Sequence, residues 1–307
     1  MSLIRARYRA VNTIMNLPRG GGFVGLLDLF HNAAFAPSIR LLRKDYSGGL
    51  LRARAWDGLA NQGEADIMPY RVSANEYVLN LNSTLENLDA TAIGRGLTTS
   101  DTLADLVSTG VNDYDGLTSA WYDQSTNGNH ATQSTAANQP KIVSGGSLVT
   151  ENGKPAVDFD GVSSSFNVSK ITLSDDWNLF ITHKLDSNSY YFGDTIGGDY
   201  LRYRINDSYR LQIAGGTDTV TGIGDIIGAQ KLLNIERDSS NNLEYYLNGT
   251  SAATSSISGA WDIDEIGASV TNHFDGTFQE LIIFNSDQSS NRTGIETNIN
   301  TFYSVYP

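Results

Sequence analysis

From Gly116 onward the chain is a succession of short segments rich in Val, Ile, Leu, Phe, Tyr and Trp, separated by turn residues. They read LTSAWYD, KIVS, PAVDFDG, SFNVS, NLFITHKLD, YLRYRIN, YRLQIAG, KLLNIERD, NLEYYLNG, WDIDEIGAS and FQELIIFN. Asn152-Gly153, Asp160-Gly161, Asn248-Gly249 and Asp275-Gly276 are pairs that tolerate positive φ and close hairpins. Segments of this length, roughly 8 to 15 residues apart, predict an all-β sandwich and disfavour a βαβ fold. No internal repeat of fixed period suggests a propeller or solenoid.

The amino-terminal third is less regular. Residues 1–16 alternate basic and apolar side chains, and Pro18 with Gly20, Gly21 and Gly22 forms a hinge. Residues 23–35 suit a short apolar helix ended by Pro37. We expect residues 1–34 to be an anchoring arm and residues 35–307 the sandwich, with an insertion at about 58–118 that holds a helix near Thr102–Ser108. SIRLLR and LLRARAW, joined through DYSGG, read as a hairpin.

The net charge of -13 argues against nucleic acid and anionic membranes as partners of the whole protein. Residues 1–60 run against that balance, with nine Lys/Arg, among them Arg5, Arg7, Arg9 and Arg19, against three acids. A positive arm on a negative body implies different partners at its two ends. With no cysteine there is no disulfide framework, thiolate zinc site or Cys nucleophile. No apolar run reaches the length of a secretory or membrane-spanning segment, so neither export nor membrane insertion is expected.

Three stretches carry a family resemblance. SAWYDQSTNGNHATQSTAANQPKIV (119–143) and ENGKPAVDFDG (151–161) resemble the sandwich domain of family 54 α-L-arabinofuranosidases and concanavalin A-like proteins of tailed bacteriophages and bacteria. LLNIERDSSNNLEYYLNGT (232–250) with FDGTFQELIIFNSDQSSNRTGIETNINTFY (274–303) is similar to the closing half of laminin G and concanavalin A-like domains, including a terminal helix over Ser289–Tyr303. The resemblance spans roughly residues 35–303 and implies a concanavalin A-like antiparallel jelly roll. It also implies a virion-associated bacteriophage protein, a tail fibre, spike or capsid decoration. The arm would attach to other virion proteins, and the sandwich would face host-surface glycans. Homo-oligomerisation, as a trimer, is the expectation from fibres and spikes in general. A glycoside hydrolase of arabinofuranosidase type and a carbohydrate-binding module of a bacterial surface protein are the alternatives.

Candidate site residues follow from chemistry. Tyr190, Tyr191 and Trp121 are aromatic side chains able to stack on sugar rings. Asp123, Ser125, Asn127, Gly128 and Asn129 match the start of a calcium loop, with His130 beside it, but Ser134 stands where the bidentate acid belongs. No cofactor is expected unless that loop takes Ca2+; the other reading is an Asx turn that satisfies its own backbone. Hydrolysis requires two carboxyl groups across a cleft, and the candidates Asp123, Asp158, Asp160, Glu244 and Glu280 are not marked by spacing as a pair. Family 54 relatives carry cysteines that this chain lacks, so no catalytic residue is carried over and the expected activity is binding.

Overall fold

The computed structural model describes residues 22–196, 198–204 and 208–307, and these form an antiparallel β-sandwich. At the centre of the first sheet, Asp275–Phe284 pairs along its length with Trp177–Leu185. Beyond the latter come Gln230–Arg237, Asn242–Leu247 and Thr250–Ser256. On the other side Asp275–Phe284 meets Val157–Asp160 at its start and Ala33–Phe35 at its end. The sheet continues through Lys141–Ser144, Asp115–Trp121, Leu51–Trp56 and Asn61–Ile67. The second sheet runs Phe166–Leu173, Trp261–Ile266, Ser189–Gly193, Tyr200–Arg204, Ser208–Ile213 and Gly216–Thr221. The short strand Ala131–Thr132 pairs with both Asp115–Trp121 and Phe166–Leu173 and joins the layers at a corner.

Sequence alternation decides what each strand buries. In LRARAW, Leu51, Ala53 and Ala55 are buried while Arg52 and Arg54 point outward, as a period of two requires. Asp275–Phe284 and Trp177–Leu185 are buried on nearly every residue, because the strands are central and the sheet is covered on both sides. The outer cover includes the terminal helix Arg292–Tyr303, whose Ile295, Ile299 and Tyr303 are buried. Between the sheets lies an aromatic core in which Trp177 meets Trp261 at 5.1 Å, Phe159 meets Phe166 at 5.8 Å, and Tyr209 stacks on Tyr245 at 6.1 Å.

Several sequence expectations are corrected. SIRLLR does not pair with LLRARAW: both edges of Leu51–Trp56 are taken by Asn61–Ile67 and Asp115–Trp121, and residues 37–40 make isolated bridges to Asp123, Glu280 and Val78. The helix at 23–35 is only Leu26–Leu29. Asn32, at φ 66, turns the chain into the strand Ala33–Phe35. Leu26, Leu27 and Ala33 are core residues, so residues 22–34 are packed on the sandwich. The stretch 58–118 begins with Asn61–Ile67 inside the sheet, then adds the hairpin Tyr70–Ser73/Glu76–Val78 and two short helices. The helix expected near 102–108 is Leu103–Leu106, capped reciprocally by Thr102 and Asp105. Asn152-Gly153 and Asn248-Gly249 turn with positive φ at both residues. Asp275-Gly276 is no turn but the start of the central strand, where a Cβ on Gly276 would sit 2.1 Å from the Lys184 carbonyl oxygen.

Candidate functional site

Strand alternation places Tyr200, Arg202 and Arg204 outward on Tyr200–Arg204, with Leu201 and Tyr203 buried between them. Cross-strand register sets Arg202 between Tyr190 on one neighbour and Arg210 on the other. Arg202 Nη1 donates to the Tyr190 hydroxyl. Its guanidinium carbon lies 5.2 Å from the ring centres of both Tyr190 and Tyr200, which are themselves 5.3 Å apart. The cation is fixed between two π faces, a contact favourable by about 0.5–1 kcal/mol per ring at exposed sites. Arg210 Nε donates to Thr219 Oγ1 at 3.2 Å, which extends the outward row onto the edge strand.

This row opens into a groove of about 480 Å³ formed with the loop ends, among them Gly161, Asn188, Asn272 and His273. Asp160 shapes the Gly161 loop by accepting from the backbone N–H groups of Val162, Ser163 and Ser164 at 2.8–2.9 Å. Burial opposes ionisation of Asp160, yet these donors hold its carboxyl well below the usual range. The hairpin carrying Asn272 and His273 turns through Val270 at φ 57, an unusual conformation for a β-branched residue, braced by the Val270 N–H donating to Glu265. The groove offers an aromatic platform, a guanidinium and amide groups, a set suited to holding a polar ring compound.

Of the three aromatic candidates, only Tyr190 belongs to this face. Tyr191 is fully buried, with its hydroxyl 2.9 Å from His183 Nε2 and its ring against Phe278. Trp121 is also fully buried, against Phe166. Both are core residues in this fold, which corrects their reading as ligand contacts.

The loop with calcium-like spacing is a brace. Asp123 Oδ1 accepts from the N–H groups of Ala36 and Ser125, and Oδ2 accepts from Ser125 Oγ and the Asn129 N–H. Asn127 and Asn129 donate their side-chain amides to the carbonyls of residues 33 and 34. His130 Nδ1 accepts from the Asp123 N–H at 3.1 Å. A carboxylate ringed by donors is the inverse of a cation's surroundings, so the structure favours the Asx-turn reading of these residues. Among the described residues no group of three or more His, Asp or Glu side chains gathers as a metal cluster would.

The carboxylates are dispersed in role. Glu280 is buried and accepts from Arg40 Nε and Nη2 at 2.7 and 2.8 Å, from Ser38 Oγ and from Tyr303. Asp158 and Asp160 are two residues apart on one strand, side by side instead of facing each other. Glu244 lies on Asn242–Leu247, opposite Glu236 in the ladder. Arg5, Arg7, Arg9 and Arg19 lie outside the described residues. Arg202, Arg204 and Arg210 were missed in the sequence; the signal was the alternation in YLRYRIN, whose outward positions are Tyr, Arg and Arg.

No family model and no curated protein matches this sequence. Among solved structures, an arabinofuranosidase complexed with arabinofuranosyl-α-1,2-xylobiose matches with TM-score 0.57 and 16% identity, over 87% of this chain and 62% of that one. A glycoside hydrolase family 54 α-L-arabinofuranosidase soaked with a cyclic sulfate inhibitor matches with TM-score 0.57 and 15% identity, over the same shares. The chain therefore spans less than two thirds of these structures. At such identity the likeness shows a shared β-sandwich fold.

Proposed function

We propose that this chain is a glycan-binding display protein, carried on a bacteriophage virion by its basic amino-terminal segment. The observation behind the binding reading is the Tyr190–Arg202–Tyr200 stack at the mouth of the groove. Tyrosine faces match the C–H faces of sugar rings, and the neighbouring amides and guanidinium can hydrogen-bond hydroxyls. The sugar ligand in one similar arabinofuranosidase structure points in the same direction. Binding without turnover is the reading we favour, because Asp123, Asp160 and Glu280 spend their oxygens on donors of the fold itself. Titration of the chain against a glycan array should give millimolar or tighter binding that Tyr190→Ala weakens about tenfold, with no release of sugar from aryl-glycosides. Turnover lost on replacing one carboxylate would move the chain to the hydrolases.

The virion reading rests on the contrast between the basic segment and the acidic body. In it, residues 1–34 contact other virion proteins, and the sandwich faces the host as part of a homo-oligomer, a trimer by analogy with fibres. Deleting residues 2–22 should abolish incorporation into particles while leaving the sandwich's circular dichroism unchanged. Normal incorporation of the truncated chain would refute anchoring.

A further inference from the structure

We propose that the ligand of this face is an acidic glycan, one bearing carboxylate or sulfate groups; this builds on the glycan-binding reading above. In a protein of net charge -13, the outward row through Tyr190, Arg202 and Arg210, with Tyr200 and Arg204 beside it, holds three arginines. None of the described residues on this row or lining the groove is an acid, and His273 sits at the groove's rim. The acids closest along the chain are otherwise engaged. Asp199 accepts from the N–H groups of Ala214 and Asp262, and Glu265 from that of Val270.

The state of the arginines elsewhere makes the contrast informative. Arg40, Arg52, Arg54 and Arg292 each pair with a carboxylate of the fold. Arg202 Nε, in contrast, is buried without a hydrogen-bond acceptor, and its charge meets tyrosine rings. A planar guanidinium immobilised in this way loses little freedom when it meets a carboxylate or sulfate, and its fork geometry suits their paired oxygens. The groove volume, about 480 Å³, fits one or two sugar rings. A long polyanion such as duplex DNA would have to approach the negative body on either side. An oligosaccharide confined to the groove feels mainly the local arginines, since screening limits charge effects to about 8 Å in physiological salt.

Calorimetric titration of the full chain with a galacturonic acid hexamer, a sulfated hexasaccharide and a neutral arabinan hexamer tests the assignment. An acidic oligomer should bind at least tenfold tighter than the neutral one. Its affinity should fall about tenfold between 50 and 500 mM NaCl, and about tenfold with Arg202→Ala. Near-ultraviolet circular dichroism of that variant checks that the aromatic core is intact, and Arg202→Lys should recover only part of the loss. Neutral binding equal to or tighter than acidic binding overturns this inference and leaves the glycan reading standing. No binding of any of the three at millimolar concentration overturns both, and equal binding of a DNA duplex reassigns the face to a general polyanion site.

Discussion

The two sheets use arginine in opposite ways. In the first, Arg40 is buried and clasped by Glu280, whose second oxygen also accepts from Ser38 and Tyr303; Arg52 bridges Glu64 and Asp66. On the outer face of the second, Arg202, Arg204 and Arg210 meet rings and hydroxyls, and no carboxylate of the described residues pairs with them. A cation neutralised inside a fold fixes geometry; one left unneutralised at a surface keeps its field for a ligand. Perturbing each region should therefore separate stability from binding.

Breaking the internal pair carries the largest expected effect. Glu280→Ala leaves the Arg40 guanidinium buried without its partner and should cost about 3–5 kcal/mol, read as a shift in the denaturant midpoint. Replacing Arg40 and Glu280 together by Met should recover most of that loss, because the penalty lies in the orphaned charge. Sugar affinity of the folded fraction should not change in either variant. On the second sheet the pattern inverts: Tyr190→Ala and Arg202→Ala should each weaken binding about tenfold and move the midpoint by under about 0.5 kcal/mol, as surface changes do. A stability loss from Arg202→Ala as large as that from Glu280→Ala would erase the distinction.

The same contrast explains how much of the molecule was legible in the sequence. Strands after Gly116 were readable because their apolar residues alternate and Asn-Gly turns separate them. The strand Gly216–Thr221 went unread because it lies at a sheet edge with mostly polar outward residues, and Thr250–Ser256 for the same reason. Residues 37–42 look like a strand but serve as a strap, which depends on Glu280 some 240 positions away. No local pattern carries that information. In the run Tyr190-Tyr191-Phe192 every residue is aromatic, so composition does not tell which ring faces out; pairing of Tyr190 with Arg202 decides it. The calcium-like spacing misled because Asx turns and metal loops need the same short polar side chains.

Asp158 is the exception on the first sheet, and the smallest of the expected effects tests it. Burial first, and then the charges of Asp186, Asp275 and Asp160, push its carboxyl up to about 6 from an ordinary 3.8. Lys141, opposite it in the ladder, pulls the other way but makes its ion pair at 2.8 Å with Asp115. Between pH 4 and 6 the folded chain holds a proton here that the unfolded chain has released, so this group's stabilisation is full below about 4 and lost as pH rises through 6. With discounting for solvent screening, Asp158→Asn should stabilise the protein by about 1 kcal/mol at pH 7 and leave it nearly unchanged at pH 4. His183 titrates with the opposite sense: burial pushes it down to about 3, and its contribution is lost as pH falls below 6.5. Taking the difference between wild type and variant at each pH cancels the histidine and isolates the carboxyl. An equal gain at both pH values would mean that Asp158 is ionised throughout, and the first sheet would then neutralise its charges without exception.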